Sequence, residues 1–81
     1  MDGQSHAMAV KRELATEIQR CMKSEGLSKL RMAHRMGTSR SQLDRVLDPT
    51  CTAIQLDTLV RAAEAVGRHL EILFHSPPAQ N

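Results

Sequence analysis

A chain of 81 residues with a net charge of +2 has room for one small domain, and such a domain buries a smaller share of its surface than a larger one. Phe74 is its single aromatic residue and five methionines accompany it, so the core must be built from Leu, Ile, Val, Ala and Met. No apolar run approaches the roughly 20 residues of a membrane helix and no secretory leader pattern opens the chain, so a cytoplasmic protein with no membrane partner is expected.

Cys21 and Cys51 stand thirty positions apart without metal-ligand spacing, and both are expected as reduced thiols. His6, His34, His69 and His75 are scattered rather than paired four apart, so neither a metal site nor a cofactor is expected. The charge is uneven. Between Ser28 and Leu47 five bases (Lys29, Arg31, Arg35, Arg40, Arg45) face the single acid Asp44, giving +4, whereas the rest of the chain holds six bases and eight acids, giving −2. A basic footprint of that kind suits phosphates; a solvated basic face is the plainer alternative.

In chain order, MDGQSHA is polar and unpatterned, and residues 1–7 are set aside as a mobile terminus or a cloning remnant. Val10, Leu14, Ile18, Cys21 and Met22 recur at three- and four-residue intervals, which predicts an amphipathic helix over about 8–24, closed by Gly26. Ser28 caps a second helix whose buried side is Leu30, Met32, Ala33 and Met36, and Gly37 stops it. Thr38 and Ser39 alone then separate it from a third helix over about 40–47. In that helix Leu43, Val46 and Leu47 are the inner side and Arg40, Ser41, Asp44 and Arg45 the outer. Asp48-Pro49 ends it.

DPTCTAIQ is a loop. Leu56, Leu59, Val60, Ala63 and Val66 predict a fourth helix with Asp57 near its positive end, closed by Gly67. Beyond it Leu70, Ile72 and Phe74 alternate, which predicts a strand rather than a fifth helix. A lone strand has unpaired edges, and the same strand from a second copy is its natural complement. Leu70, Ile72 and Phe74 are therefore the expected dimerisation residues. The domain spans 8–76 and residues 77–81 form a tail.

SKLRMAHRMGTSRSQLDRVLD resembles the helix-turn-helix of the lambda-repressor-like, or XRE, family of bacterial and phage regulators. Ser28 stands at the capping position, Ala33 where helices approach closely, Gly37 at the turn, Ser39 at the next cap and Leu43 at the buried apolar position. LDTLVRAAEAVG is similar to the family's following helix. The resemblance implies a mainly α bundle of four to five helices ending in a short strand that pairs across a dimer. It also implies a sequence-specific DNA-binding regulator, a repressor acting on a palindromic operator.

A helix fits the B-DNA major groove, where Arg bonds guanine O6 and N7. Arg40, Ser41, Asp44 and Arg45 are the base-reading positions by this resemblance. Lys29 stands where the family places a phosphate-binding Gln. Ser28, Ser39, Gln42, Thr50 and Thr52 are further phosphate candidates, whereas Arg31, His34 and Arg35 are read as solvated helix residues. An intrahelical Arg40–Asp44 pair, four apart, is the simpler account of two of these side chains.

SQLDRVLDP followed by LDTLVRAAEAVGRHLEI is similar to small host-inhibition-of-growth-type antitoxins, which implies a partner toxin and repression of the chain's own operon. With no long spare segment to wrap a toxin, folded surface or the short ends would have to bind it. The alternative is a protein-interaction module, a toxin-neutralising subunit with little DNA binding. No Gly-rich phosphate loop, carboxylate pair or nucleophile-base spacing suggests an enzyme, so no catalytic residue is assigned.

Overall fold

The computed structural model describes residues 3–77, in which four helices follow one another: α1 (Gly3–Glu25), α2 (Lys29–Met36), α3 (Arg40–Leu47) and α4 (Leu56–Ala65). The helix ends follow local chemistry. The Ser28 and Ser39 hydroxyls accept the backbone N–H groups of Arg31 and Gln42, at 3.2 and 3.1 Å, so both short helices start on a satisfied cap. α1 closes with Leu27 N donating to the Met22 carbonyl at 2.9 Å and Gly26 N to that of Lys23 at 3.1 Å. Leu27 and Met22 are both buried, the apolar contact that accompanies this Schellman closure.

α3 packs against each of the other three helices, and the core gathers around it. Leu43 and Val46 of α3, Met32 of α2 and Ala62 of α4 are all 0% exposed. Ile18, Cys21 and Met22 close the cluster from α1, and Leu27, Ala33, Met36, Leu47 and Val66 complete it. A helix held on three sides keeps one free face, and that face is the functional candidate.

The structure corrects several expected inner positions. On α1 the buried stripe is Lys11, Ala15, Ile18, Cys21 and Met22, while Val10 is exposed and Leu14 half-buried. α1 also begins at Gly3, five residues ahead of the expected start. Leu30 and Leu56 are exposed, because each stands two residues, about 200° of helical rotation, from a residue that faces inward (Met32 and Thr58). Leu59, Val60 and Ala63 are half-buried.

Residues 68–77 carry neither strand nor helix. The expected strand over 70–75 is thus not formed within the chain, since a strand is held by ladder bonds to a neighbour and the described residues contain no other strand. Ile72, Leu73 and Phe74 are 61%, 72% and 96% exposed, and Leu70 is half-buried. The dimer pairing that strand implied has no counterpart in a single chain. Residues 1 and 2 of the expected mobile terminus, and residues 78–81 of the expected tail, lie outside the described residues.

Gly37 turns the chain between α2 and α3 with φ 67° and ψ 38°, in the left-handed region. A Cβ there would meet nothing within 4 Å, so the cost of Gly37→Ala is purely one of backbone conformation. It is expected to destabilise by about 1 kcal/mol, read from the urea midpoint; an unchanged midpoint would contradict the left-handed turn.

Candidate nucleic-acid interface

The two short helices and their connection are built from local signals. Thr38 N donates to the Ala33 carbonyl at 3.0 Å and Gly37 N to that of His34 at 3.1 Å, which closes α2. One residue later Ser39, with φ −80° and ψ 159°, caps α3. The connection is therefore as short as two capped helices allow, and it fixes how α3 leaves α2.

On α3, Arg40, Ser41, Asp44 and Arg45 are all exposed, while Leu43, Val46 and Leu47 are buried and Gln42 is half-buried. At about 100° per residue the four exposed side chains fall within an arc of roughly 140°. The structure thus brings the four expected base-reading residues onto one solvent-facing side. It does not assign the ion pair expected between Arg40 and Asp44. Asp44 Oδ1 instead lies 3.2 Å from Lys29 Nζ, with both side chains about half exposed at 53% and 48%. Lys29 opens α2 and Asp44 sits in the second turn of α3, so this pair spans the two helices and joins an expected phosphate contact to an expected base reader. Exposed pairs of this kind contribute about 0.2–1 kcal/mol, weak enough for a phosphate to compete for the ammonium.

The remaining phosphate candidates are unequal. Ser28 and Ser39 are exposed and accept with their oxygens, which leaves each hydroxyl hydrogen available to donate. Thr52 is exposed. Thr50 commits both its N–H and its hydroxyl to Asp48 Oδ1, at 2.9 and 2.8 Å, so an anion there would meet a carboxylate. The Thr50 N–H bond, followed by its hydroxyl, pulls the Asp48 carboxyl below its ordinary range. A depressed carboxylate stabilises the fold above the ordinary range and loses that contribution as pH falls through the lowered value. The difference in thermal midpoint between wild type and Asp48→Asn is accordingly expected to shrink on acidification below pH about 4. A difference that holds constant or grows would refute the assignment.

Two cations bond backbone carbonyls of other helices, Arg35 while remaining exposed and Lys11 while buried. Arg35 Nη1 donates to the carbonyl of Ala65 at 3.1 Å, tying α2 to the end of α4. Lys11 is 4% exposed, and its Nζ donates to the carbonyls of Arg45 at 2.9 Å and Asp48 at 2.8 Å. Burial lowers the Lys11 pKa, partly offset by nearby Cys51 and Asp48. The sequence reading placed Lys11 among the polar residues between apolar ones and so missed it. The available signal was its spacing of four, seven and eleven from Ala15, Ile18 and Met22, one face of the helix.

Among the described residues, no group of three or more His, Cys, Asp and Glu side chains is placed to hold a metal ion, and no helix is long and apolar enough to cross a membrane. A family model described as a helix-turn-helix domain matches residues 1–74. No curated protein and no solved structure matches the chain significantly. The matched span takes in α2, the Gly37 turn and the exposed side of α3, and the chain belongs to the helix-turn-helix domain family, membership that supports DNA binding.

Proposed function

We propose that this protein is a sequence-specific DNA-binding regulator of the lambda-repressor-like kind, a cytoplasmic repressor that docks α3 in the major groove. One observation carries the reading. The basic quarter of the chain folds so that Arg40, Ser41, Asp44 and Arg45 stand exposed on α3 directly after a capped three-residue turn. Arg40 and Arg45 bond guanine edges, Asp44 accepts from a cytosine amino group, and Ser41 takes either partner. Lys29, Ser28, Ser39, Gln42 and Thr52 supply phosphate contacts that set position without reading sequence. No catalytic role belongs to this reading.

The test is selection of bound duplexes from a random pool, followed by titration of the enriched duplex at several salt concentrations. Enrichment of a defined motif, with affinity that falls as salt rises, is the expected result. Recovery of unenriched sequence would remove the base-reading claim.

The exposed Ile72, Leu73 and Phe74 favour a second, compatible element of the same reading: pairing of residues 70–75 with the same segment of another copy. A twofold dimer of that kind carries its two α3 helices about 34 Å apart and reads a palindrome. Ile72→Asp is expected to shift the protein towards monomer in sedimentation and to weaken duplex binding with it; an unchanged dimer would exclude this pairing.

The antitoxin role is a narrower form of the proposal. It calls for a toxin reading frame beside the gene and a complex in which this chain binds the toxin. Toxin neutralisation without any duplex enrichment would favour the interaction-module alternative.

A further inference from the structure

We propose that Lys11 is a positioning residue for DNA reading: from inside the bundle it holds the C-terminal end of α3 at the pitch its outer face needs. The inference rests on the DNA-binding reading above and deepens it.

α3 is only 8 residues long, so its direction depends on how its ends are held. Ser39 holds the first turn through its cap. At the end of α3 the Arg45 carbonyl accepts from Asp48 N at 3.3 Å and that of Asp48 from Cys51 N at 3.1 Å; each carbonyl oxygen keeps a second lone pair, and α1 supplies side-chain donors to it. Lys11 Nζ bonds the carbonyls of Arg45 and Asp48, and Gln19 Nε2 reaches that of Leu47 at 3.4 Å. Three carbonyls at the end of α3 are therefore held from one neighbouring helix. One belongs to Arg45, whose side chain lies on the exposed face. The ammonium also sits at the negative end of the helix dipole.

The packed core sets where α3 lies, and directional hydrogen bonds at its end add an angular restraint that apolar contact lacks. A base-reading side chain is sensitive to small shifts, because a supporting shell that is loose by about 1 Å loses the productive geometry. Lys11 is itself too buried to meet a phosphate. Its removal should therefore change preference among sequences without changing the salt dependence.

The experiment compares wild type, Lys11→Met and Gly67→Ala at a temperature where circular dichroism shows each folded. Methionine keeps the apolar stem and removes the donors. Gly67 closes α4 with φ 74°, away from the Lys11 contacts, so Gly67→Ala is a control destabilised elsewhere. Affinity is measured for the duplex enriched by selection and for a random-sequence duplex of equal length. Lys11→Met is expected to lower the enriched-to-random ratio by about tenfold with the random-duplex affinity and salt slope unchanged, while Gly67→Ala keeps the ratio.

An unchanged ratio in folded Lys11→Met, or an equal fall in Gly67→Ala, overturns the proposal. Should Lys11→Met fail to fold, Gln19→Ala takes its place, with an expected fall of roughly threefold and the same overturning result. Amide hydrogen exchange over residues 43–48 needs no DNA. Faster exchange there in Lys11→Met than in Gly67→Ala supports the clamp even if no duplex is bound, and in that case only the DNA reading fails. Equal exchange in the two variants overturns the clamp itself.

Discussion

Leu43→Ala is expected to cost about 3 kcal/mol of stability, within the range of roughly 2–5 for a buried leucine. Leu43 is 0% exposed and sits on α3, the helix that touches the other three. The neighbours that would have to collapse into the vacated space include Met32 and Val46, which are themselves fully buried, so relaxation recovers little. For a domain of 81 residues total stability is on the order of 4–12 kcal/mol, and the expected loss is a large share of it. A fall in thermal midpoint on the order of 15 °C follows. Urea denaturation of the purified variant reads the loss directly, and a value under about 1 kcal/mol would mean that α3 is not the packing centre.

Arg40→Ala and Arg45→Ala are each expected to lower affinity for the selected duplex by about 1–3 kcal/mol and to relax preference at particular base pairs. Both side chains lie on the exposed arc of α3, so truncation removes donors without opening the core. Lys29→Ala is the contrast. It takes away a charge at the start of α2, so it should weaken every sequence alike and reduce the salt slope by about one. It also leaves Asp44 without its 3.2 Å partner, which adds repulsion towards any duplex. Parallel titrations of selected and random duplex separate the two behaviours. Equal losses on both for all three variants would remove sequence reading from α3.

The two effects act on different links. Leu43 holds α3 in place at the centre of the core, while in the proposed reading Arg40 and Arg45 would determine what the placed helix reads. Lys11 is proposed to connect them, because one of its bonds ends on the backbone of Arg45, a proposed reading residue.

Much of this was legible in the residues alone. The ends of α2 and α3 follow from Ser28, Gly37 and Ser39, whose capping hydrogen bonds and left-handed turn reach only three to five residues along the chain. The inner side of α3 was equally plain, since Leu43, Val46 and Leu47 are its only apolar residues. With that side assigned, the exposure of Arg40, Ser41, Asp44 and Arg45 follows from the helical repeat.

Only the tertiary structure decided the rest. Val10 and Lys11 are adjacent and either could have faced inward; the packing of α1 on α3 chose Lys11, whose ammonium reaches carbonyls 34 and 37 positions away. Asp44 had Arg40 one turn before it, yet the approach of α2 offered Lys29 instead. Residues 70–75 show the reverse case, an alternating pattern that forms no strand because a ladder takes two partners. Signals confined to one turn of backbone are written in the sequence itself, whereas pairings between distant residues depend on how the helices cross, and that depends on the whole core at once.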